Sequence, residues 1–416
     1  MSGLCGKAMV PAIVSSAGAP AAVTIAQALG PLGVPIHALS NMHHAAAWYS
    51  RYTVTRHLTD LGVGGTRTHH NVHEPESLLS YMIDRLDRGV IFPGTDSNVR
   101  FLAQHKQRLL DEGFSLLIPD ADALARAANK SDVAEFCRDH GFPVPRTLTI
   151  DSHDDLRAVR NELRFPIVLK GVFVKNHKFV ASPDELDACY AAFLARFAKK
   201  TPQVQGVAQE WIPGGDELFA KLYVICDQQS RVISFHSLRR LRVHTRRDGS
   251  QGDTLIAKTE RIQPLLDQWL PFFPAVRWVG VASLETKYDE RDGQYKLIEI
   301  NPRPWAILKI SVDCGMNVPL QYYRLAQGEA IESQSDFREN QYYIRLLWGN
   351  RDFPEPVASL GMWINRRITL REVLRVYWEL ARNSRRLTID VGHLRDPMPT
   401  LACMYYYGIR HFKGWF

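Results

Sequence analysis

The six cysteines of this chain are scattered, and none forms a CxxC pair. That argues against a zinc ribbon or a disulfide framework and fits a reducing cytoplasm. No apolar run is long enough to span a bilayer. No GxGxxG follows the first strand-like run, so a dinucleotide site has little support. Internal repeats and low-complexity tracts are absent. No nucleic-acid module accompanies the basic residues, so nucleic-acid binding is not expected. The opening stretch MSGLCGKAMVPAIVSSAGAP carries one lysine and a short apolar segment. It reads as a first strand and the turn after it rather than a leader peptide.

What remains is an ordinary folded chain. Its 416 residues, 45% hydrophobic and 23% charged, imply more than one domain. The net charge of +7 is uneven: residues 361 to 386 hold seven arginines and two glutamates, a local +5.

Residues 9 to 60 alternate strand-like runs (AMVPAIVSS, VPIHALS) with a helical pattern (APAAVTIAQALGPLG), and an amphipathic helix, ESLLSYMIDRLDRG, and a buried strand, VIFPG, follow. This is the βαβ rhythm of a doubly wound sheet. Helices follow from about Ala121, then strands dominate to about Gly328: FPIVLKG, VAQEWIPG, ELFAKLYVIC, RVISFHSL, VGVASLETKYD and QYKLIEI. Asp292-Gly293 is a hairpin turn, which sets Glu285 and Glu299 on neighbouring antiparallel strands.

The segment LIEINPRPWAIL, residues 297–308, concentrates the chemistry. Alternate strand residues share a face, so Glu299, Asn301 and Arg303 point one way, and Ile298 and Ile300 are expected in the core. Pro302 and Pro304 end the strand near Asn301. Carboxylate and amide oxygens are hard ligands for Mg2+, and an arginine suits phosphate. With Glu285 across the hairpin, the set can hold metal and a triphosphate. A pair of Glu285 with Lys287 or another neighbour on a solvated face is the ordinary alternative. Lys130, before a helix, and Lys170, ending an apolar strand, are candidate anion contacts. Glu210 and Glu217 flank a Pro-Gly-Gly turn that suits a hinge between two lobes.

In this order, Lys130, Lys170, Glu210 to Glu217, Glu285 and Glu299-x-Asn301-x-Arg303 resemble the ATP-grasp superfamily over about residues 120–330. Within it the sequence is similar to predicted ATP-dependent carboxylate–amine ligases, which share an RxLR-like segment and a PRxW ending. The resemblance implies an α/β fold: a doubly wound pre-ATP-grasp domain (1–120), a two-lobed α+β ATP-grasp body (121–330) and a basic, aromatic-rich helical C-terminal extension (331–416). It implies ATP and Mg2+, with Mn2+ as an alternative. Lys130 and Lys170 would contact phosphates. Glu210, Trp211 and Ile212 would frame adenine, the last two through backbone groups, and Glu217 would bind ribose. Glu285, Glu299 and Asn301 would hold metal. Arg303 would steady the transferred phosphate, and Arg240 or Arg242 would lie near the γ-phosphate.

Two departures stand out. The segment after Lys170, GVFVKNHKF, has one glycine where the family carries a glycine-rich phosphate loop; Lys175 and Lys178 are expected to compensate. Ala306 and Ile307 in PWAIL point to a bulkier, apolar acceptor.

His69, His70 and His73 lack an acidic or cysteine partner at zinc spacing, so a solvated loop is expected. Thr95 and Asp96 stand where ligands bind at a sheet's carboxyl edge, or Asp96 or Ser97 caps a helix. In ITLREVLRVYWELARNSRR, Thr369 and Glu372 have capping-box spacing. Leu370, Val373, Leu374, Tyr377 and Ala381 form an apolar stripe among arginines. The stripe is expected to pack on the body with a solvated basic back; docking on an anionic membrane or an acidic carrier protein is the alternative.

The expected function is ATP-dependent ligation of a carboxylate to an amine through an acyl phosphate, with release of ADP and phosphate, in a cytoplasmic protein with a route to membrane association. An ATP-grasp small-molecule kinase and a non-catalytic nucleotide-binding scaffold are the rivals.

Overall fold

The computed structural model describes residues 9–59, 75–128, 130–171, 177–197, 206–245, 251–346, 355–366 and 368–413. Strands β1 (Ala12–Val14), β2 (Ile36–Leu39), β3 (Thr53–His57) and β4 (Val90–Phe92) form a parallel sheet in the order β3-β2-β1-β4. Strands β1, β2 and β4 are buried throughout and only β3 alternates, as expected of parallel strands covered on both faces.

The direction of winding reverses between β1 and β4, which makes a crevice at their carboxyl ends. Asn98 closes it: its Oδ1 accepts hydrogen bonds from Ser15 Oγ (3.0 Å), Gly94 N (3.1 Å) and Thr95 N (2.9 Å). The cap of helix 96–104 is Thr95 rather than Asp96 or Ser97, because the Thr95 hydroxyl accepts the Asn98 N–H in a capping box. Asp96 is thereby left in the first turn with its carboxylate available.

A second sheet, β5 (Thr147–Ile150), β6 (Ile167–Gly171), β7 (His177–Val180) and β8 (Gly206–Glu210), is antiparallel in the order β5-β8-β6-β7. Helices 156–162 and 186–197 cover one face, where Ile167 and Leu169 meet Leu156, Val159, Leu186 and Phe193. By strand alternation Lys170 belongs to the opposite face.

The largest sheet holds β9 (Phe219–Cys226), β10 (Val232–Thr245), β11 (Gln251–Thr259), β12 (Gly280–Asp289), β13 (Gln294–Asn301), β14 (Tyr342–Ile344) and β15 (Leu387–Ile389), in the order β13-β12-β9-β10-β11-β14-β15. Both faces of its centre are buried. Ala220, Leu222 and Val224 pack with Trp269, Phe272 and Trp278; Tyr223 and Ile225 join the core shared with the amino-terminal domain.

The C-terminal region contributes helices and two strands, β14 and, at the sheet's edge, β15. Helices 355–364 and 370–382 pack on the sheet through Ala358, Met362, Val376 and Leu380. The Thr369–Glu372 capping box forms as expected. The anticipated apolar stripe does not all face inward. Val373 and Tyr377 are half-buried, whereas Leu370, Leu374 and Ala381 are exposed. The cause is an anchor: the Tyr377 hydroxyl donates to the buried Glu355 carboxylate, which fixes the rotation of helix 370–382. Helix 398–413 returns to the first domain, with Cys403 in its core. There Asp396 accepts hydrogen bonds from Ser50 Oγ (2.7 Å), Arg51 N (2.9 Å) and Gln27 Nε2 (3.3 Å).

Candidate active site

The hairpin places Glu285 directly opposite Glu299, and Ser283 opposite Asn301. Opposed residues carry Cβ atoms about 5 Å apart, and like charges so placed repel. The chain supplies cations against them. Lys221, the partner of Glu285 on β9, forms an ion pair with it. Arg240 Nη1 lies 3.8 Å from the other Glu285 oxygen. Glu285 thus pairs with Lys221 rather than Lys287.

A register shift between Glu285 and Thr286 interrupts the β12–β13 ladder. Because of that bulge, Leu297 and Ile300 both enter the core, while Ile298, expected there, lines a cleft instead. The cleft, between β6, β8 and β13, is small and is lined by Lys130, Val133, Val144, Lys170, Gln209 and Ile298. It thus presents two cations beside apolar walls.

Lys170 Nζ donates to Gln209 Oε1 (2.5 Å), whose amide donates to Thr147 Oγ1 (3.0 Å). Burial first, then the Lys130 charge, lowers the Lys170 ammonium to about 8; Glu299 and Glu285 oppose that shift. Both carboxylates and both lysines therefore share one field. Lys130 Nζ donates to Gly171 O (3.2 Å). Lys178 is exposed on β7. Lys175 and the His69, His70, His73 trio lie outside the described residues.

The hinge between sheets begins at Glu210, whose carboxylate accepts the Arg164 N–H (2.9 Å). Trp211 N–H donates to Pro166 O (3.0 Å), so one backbone group expected to meet adenine is engaged. The Ile212 carbonyl is engaged too: buried Lys287 donates to it (2.8 Å) and to Gly214 O (2.7 Å). The same ammonium lies 4.9 Å from the Trp211 ring and 5.0 Å from Phe219. Glu217 is exposed, with its carboxylate folded over Gly215, where a Cβ would meet it at 2.4 Å.

The three arginines part company. Arg240 is buried against Glu285, 4.7 Å from the Phe219 ring. Arg303 Nε donates to Asp96 Oδ1 (3.0 Å) and Nη2 to Asn301 Oδ1 (3.4 Å), so it joins the end of β13 to the crevice of the parallel sheet. The structure does not bring Arg242 to this cluster. Its Nη1 donates to Glu355 Oε1 and Ser359 Oγ, both at 2.8 Å, and Nη2 to Glu372 O (3.2 Å). It is a buried anchor for the C-terminal helices. Ile307 is likewise a core residue rather than a wall for an acceptor, and Ala306 is exposed.

Among the described residues no three His, Cys, Asp or Glu side chains gather into a metal cluster. A cation here would take two carboxylates and the Asn301 amide oxygen. That all-oxygen set fits Mg2+ and offers nothing to favour zinc.

No family model matches the sequence. A D-aspartate ligase of Enterococcus faecium is 26% identical over 237 residues, which are 53% of this chain. The match spans 54% of that protein, about half its length. The biotin carboxylase domain of Hydrogenobacter thermophilus 2-oxoglutarate carboxylase, solved with MgADP and bicarbonate, superposes with a TM-score of 0.63 at 16% identity, covering 80% of this chain and 73% of that one. N5-carboxyaminoimidazole synthetase of Staphylococcus aureus gives a TM-score of 0.61 at 13% identity, covering 86% and 85%. The chain has an ATP-grasp fold.

The sequence pattern alone assigned no role at the site to Lys221 or Gln209, and placed Lys287 only as an alternative partner for Glu285. Each had one faint signal. Lys221 is a charge inside the apolar run LFAKLYVIC, Gln209 stands two residues beyond buried Val207, and Lys287 follows Glu285 by two on the same strand. Only the pairing of strands says what they meet.

Proposed function

We propose that the protein uses ATP to join a carboxylate to an amine. The observation that carries this reading is the Glu285–Glu299 pair, held in register beside the Lys130–Lys170 cleft and the Arg303 guanidinium. The D-aspartate ligase likeness makes D-aspartate and related carboxylates the first candidates for one substrate. The nucleotide's phosphates would meet Lys130 and Lys170, and its base would lie toward the hinge at Glu210–Ile212.

Glu285, Glu299 and Asn301 would hold Mg2+, which when bound offsets charge on the phosphoryl oxygens. A carboxylate oxygen of the substrate attacks the γ-phosphorus in line. The bond to the β-bridging oxygen breaks, and ADP leaves with its electron pair. Lys170 and Arg303 stabilise the spreading charge and keep the reacting groups aligned. The amine nitrogen then attacks the acyl carbon; the C–O bond to phosphate breaks, phosphate departs and the nitrogen loses a proton. No side-chain nucleophile is required.

Hydroxylamine trapping tests this reading. With carboxylate, ATP and Mg2+ but no amine, hydroxylamine captures the acyl phosphate as a hydroxamate, one per ADP. Formation of AMP, or of a phosphorylated product inert to hydroxylamine, overturns it.

A further inference from the structure

Helices 355–364 and 370–382 are anchored from within and apolar from without. Their inner faces are fixed by Arg242, Glu355, Ser359 and Tyr377. Neither helix can turn its outer residues inward without breaking that buried charge network. Yet the outer face of helix 370–382 presents Leu370, Leu374 (60% exposed) and Trp378 (67% exposed), at intervals of four. Helix 355–364 likewise exposes Val357, Leu360, Trp363 and Ile364 (65% exposed). Large apolar side chains gathered on adjoining elements mark a contact surface.

The charge around them is of one sign. Arg371 and Arg375 each follow an exposed leucine by one position, and Arg366, Arg382, Arg385 and Arg386 are exposed nearby. None of these six makes a salt bridge among the described residues. The two acids are occupied internally. The Glu372 carboxylate accepts the Thr369 N–H (2.6 Å), and Glu379 accepts the Tyr342 hydroxyl (2.7 Å).

We infer that the outer faces of these two helices dock the protein on an anionic lipid bilayer. An apolar stripe interleaved with arginines suits the boundary between headgroups and acyl chains. Leucines enter the apolar layer, tryptophans sit at headgroup depth, and arginine stems reach back to lipid phosphates. No helix of the described residues is long and apolar enough to cross a membrane, so the contact is peripheral. Helices 355–364 and 370–382 are held to β10 through Arg242, whereas the two acids stand on β12 and β13.

Flotation of the full-length chain with vesicles tests this. Vesicles of phosphatidylcholine with phosphatidylserine should carry the protein; phosphatidylcholine alone should carry at least tenfold less, and rising salt should release it. The double variant Leu374→Glu/Trp378→Glu should lose at least tenfold in vesicle affinity while its unfolding temperature and ATP affinity stay unchanged. Trp378→Ala serves as the milder variant. Arg371→Gln and Arg375→Gln should each weaken binding by about fivefold. Absence of flotation, or flotation indifferent to the apolar variants, overturns the inference. Light scattering that shows a dimer dissolved by the same variants, without vesicle binding, would make a second copy the occupant instead.

Discussion

Arg303 Nε donates to Asp96 Oδ1 at 3.0 Å, between residues 207 apart in sequence. The bond places a carboxylate of the parallel-sheet crevice against the guanidinium of the ATP-grasp strand. Arg303→Ala should lower ADP release by about a hundredfold or more, because a donor aimed at developing charge is gone. Asp96→Ala leaves the guanidinium in place but loose, and should lower kcat by about tenfold with ATP affinity within about twofold. Steady-state kinetics beside nucleotide titration separates the two outcomes. A Lys at 303 should rescue poorly, since a point charge cannot hold Asp96 and a phosphate together.

Lys170 should make nucleotide binding pH-dependent. Burial lowers its ammonium to about 8 from the ordinary lysine value of 10.5. ATP favours the charged form, so affinity should fall as pH rises through about 8, and binding above that pH should take up a proton. Calorimetry in buffers of different ionisation heat reads this directly. Between about 8 and 10.5 the unfolded chain holds a proton that the folded one lacks. Stability of the nucleotide-free protein should therefore rise with pH across that window. Lys170→Met should flatten both profiles.

Removing one of two opposed carboxylates acts in opposite senses on stability and turnover. Glu299→Gln relieves repulsion with Glu285, so thermal unfolding in EDTA should be unchanged or slightly raised. ADP release should drop about a hundredfold or more, and the residual activity should need more Mg2+. Equal Mg2+ dependence in both proteins would remove Glu299 from the metal site.

Arg242 and Glu355 are the opposite case, a pair serving the fold. Arg242→Met strands the buried Glu355 carboxylate and should cost about 3–5 kcal/mol in urea unfolding. The double variant with Glu355→Met should cost much less. ATP affinity of folded protein should be preserved in both.

The local parts of this site were legible. Asp292-Gly293 announced a hairpin, and the hairpin alone brings Glu285 to Glu299. Partners from distant strands were not. Nothing near Lys221 says that it will stand opposite Glu285, because that follows from β9 pairing with β12. The bulge that turns Ile298 into the cleft leaves no mark in an alternating pattern. Helix 370–382 misled in another way. It is apolar on two sides, and its rotation was settled by Glu355, fifteen residues upstream of its start. Arg240 and Arg242 read as a matched pair, yet the irregular register of β10 against β11 sends them to different duties.

The grip of Asp396 on Gln27, Ser50 and Arg51 also bears on how the chain is made. Synthesis proceeds from the amino end at about 5–20 residues per second. The first domain therefore stands with that edge bare for roughly 15–55 s before Asp396 is polymerised. During that interval its exposed strand and polar edge are open to chaperones and proteases. A chain released before residue 396 would carry Lys130, Lys170, Glu285 and Glu299 yet lack the carboxylate that ties Gln27, Ser50 and Arg51 together.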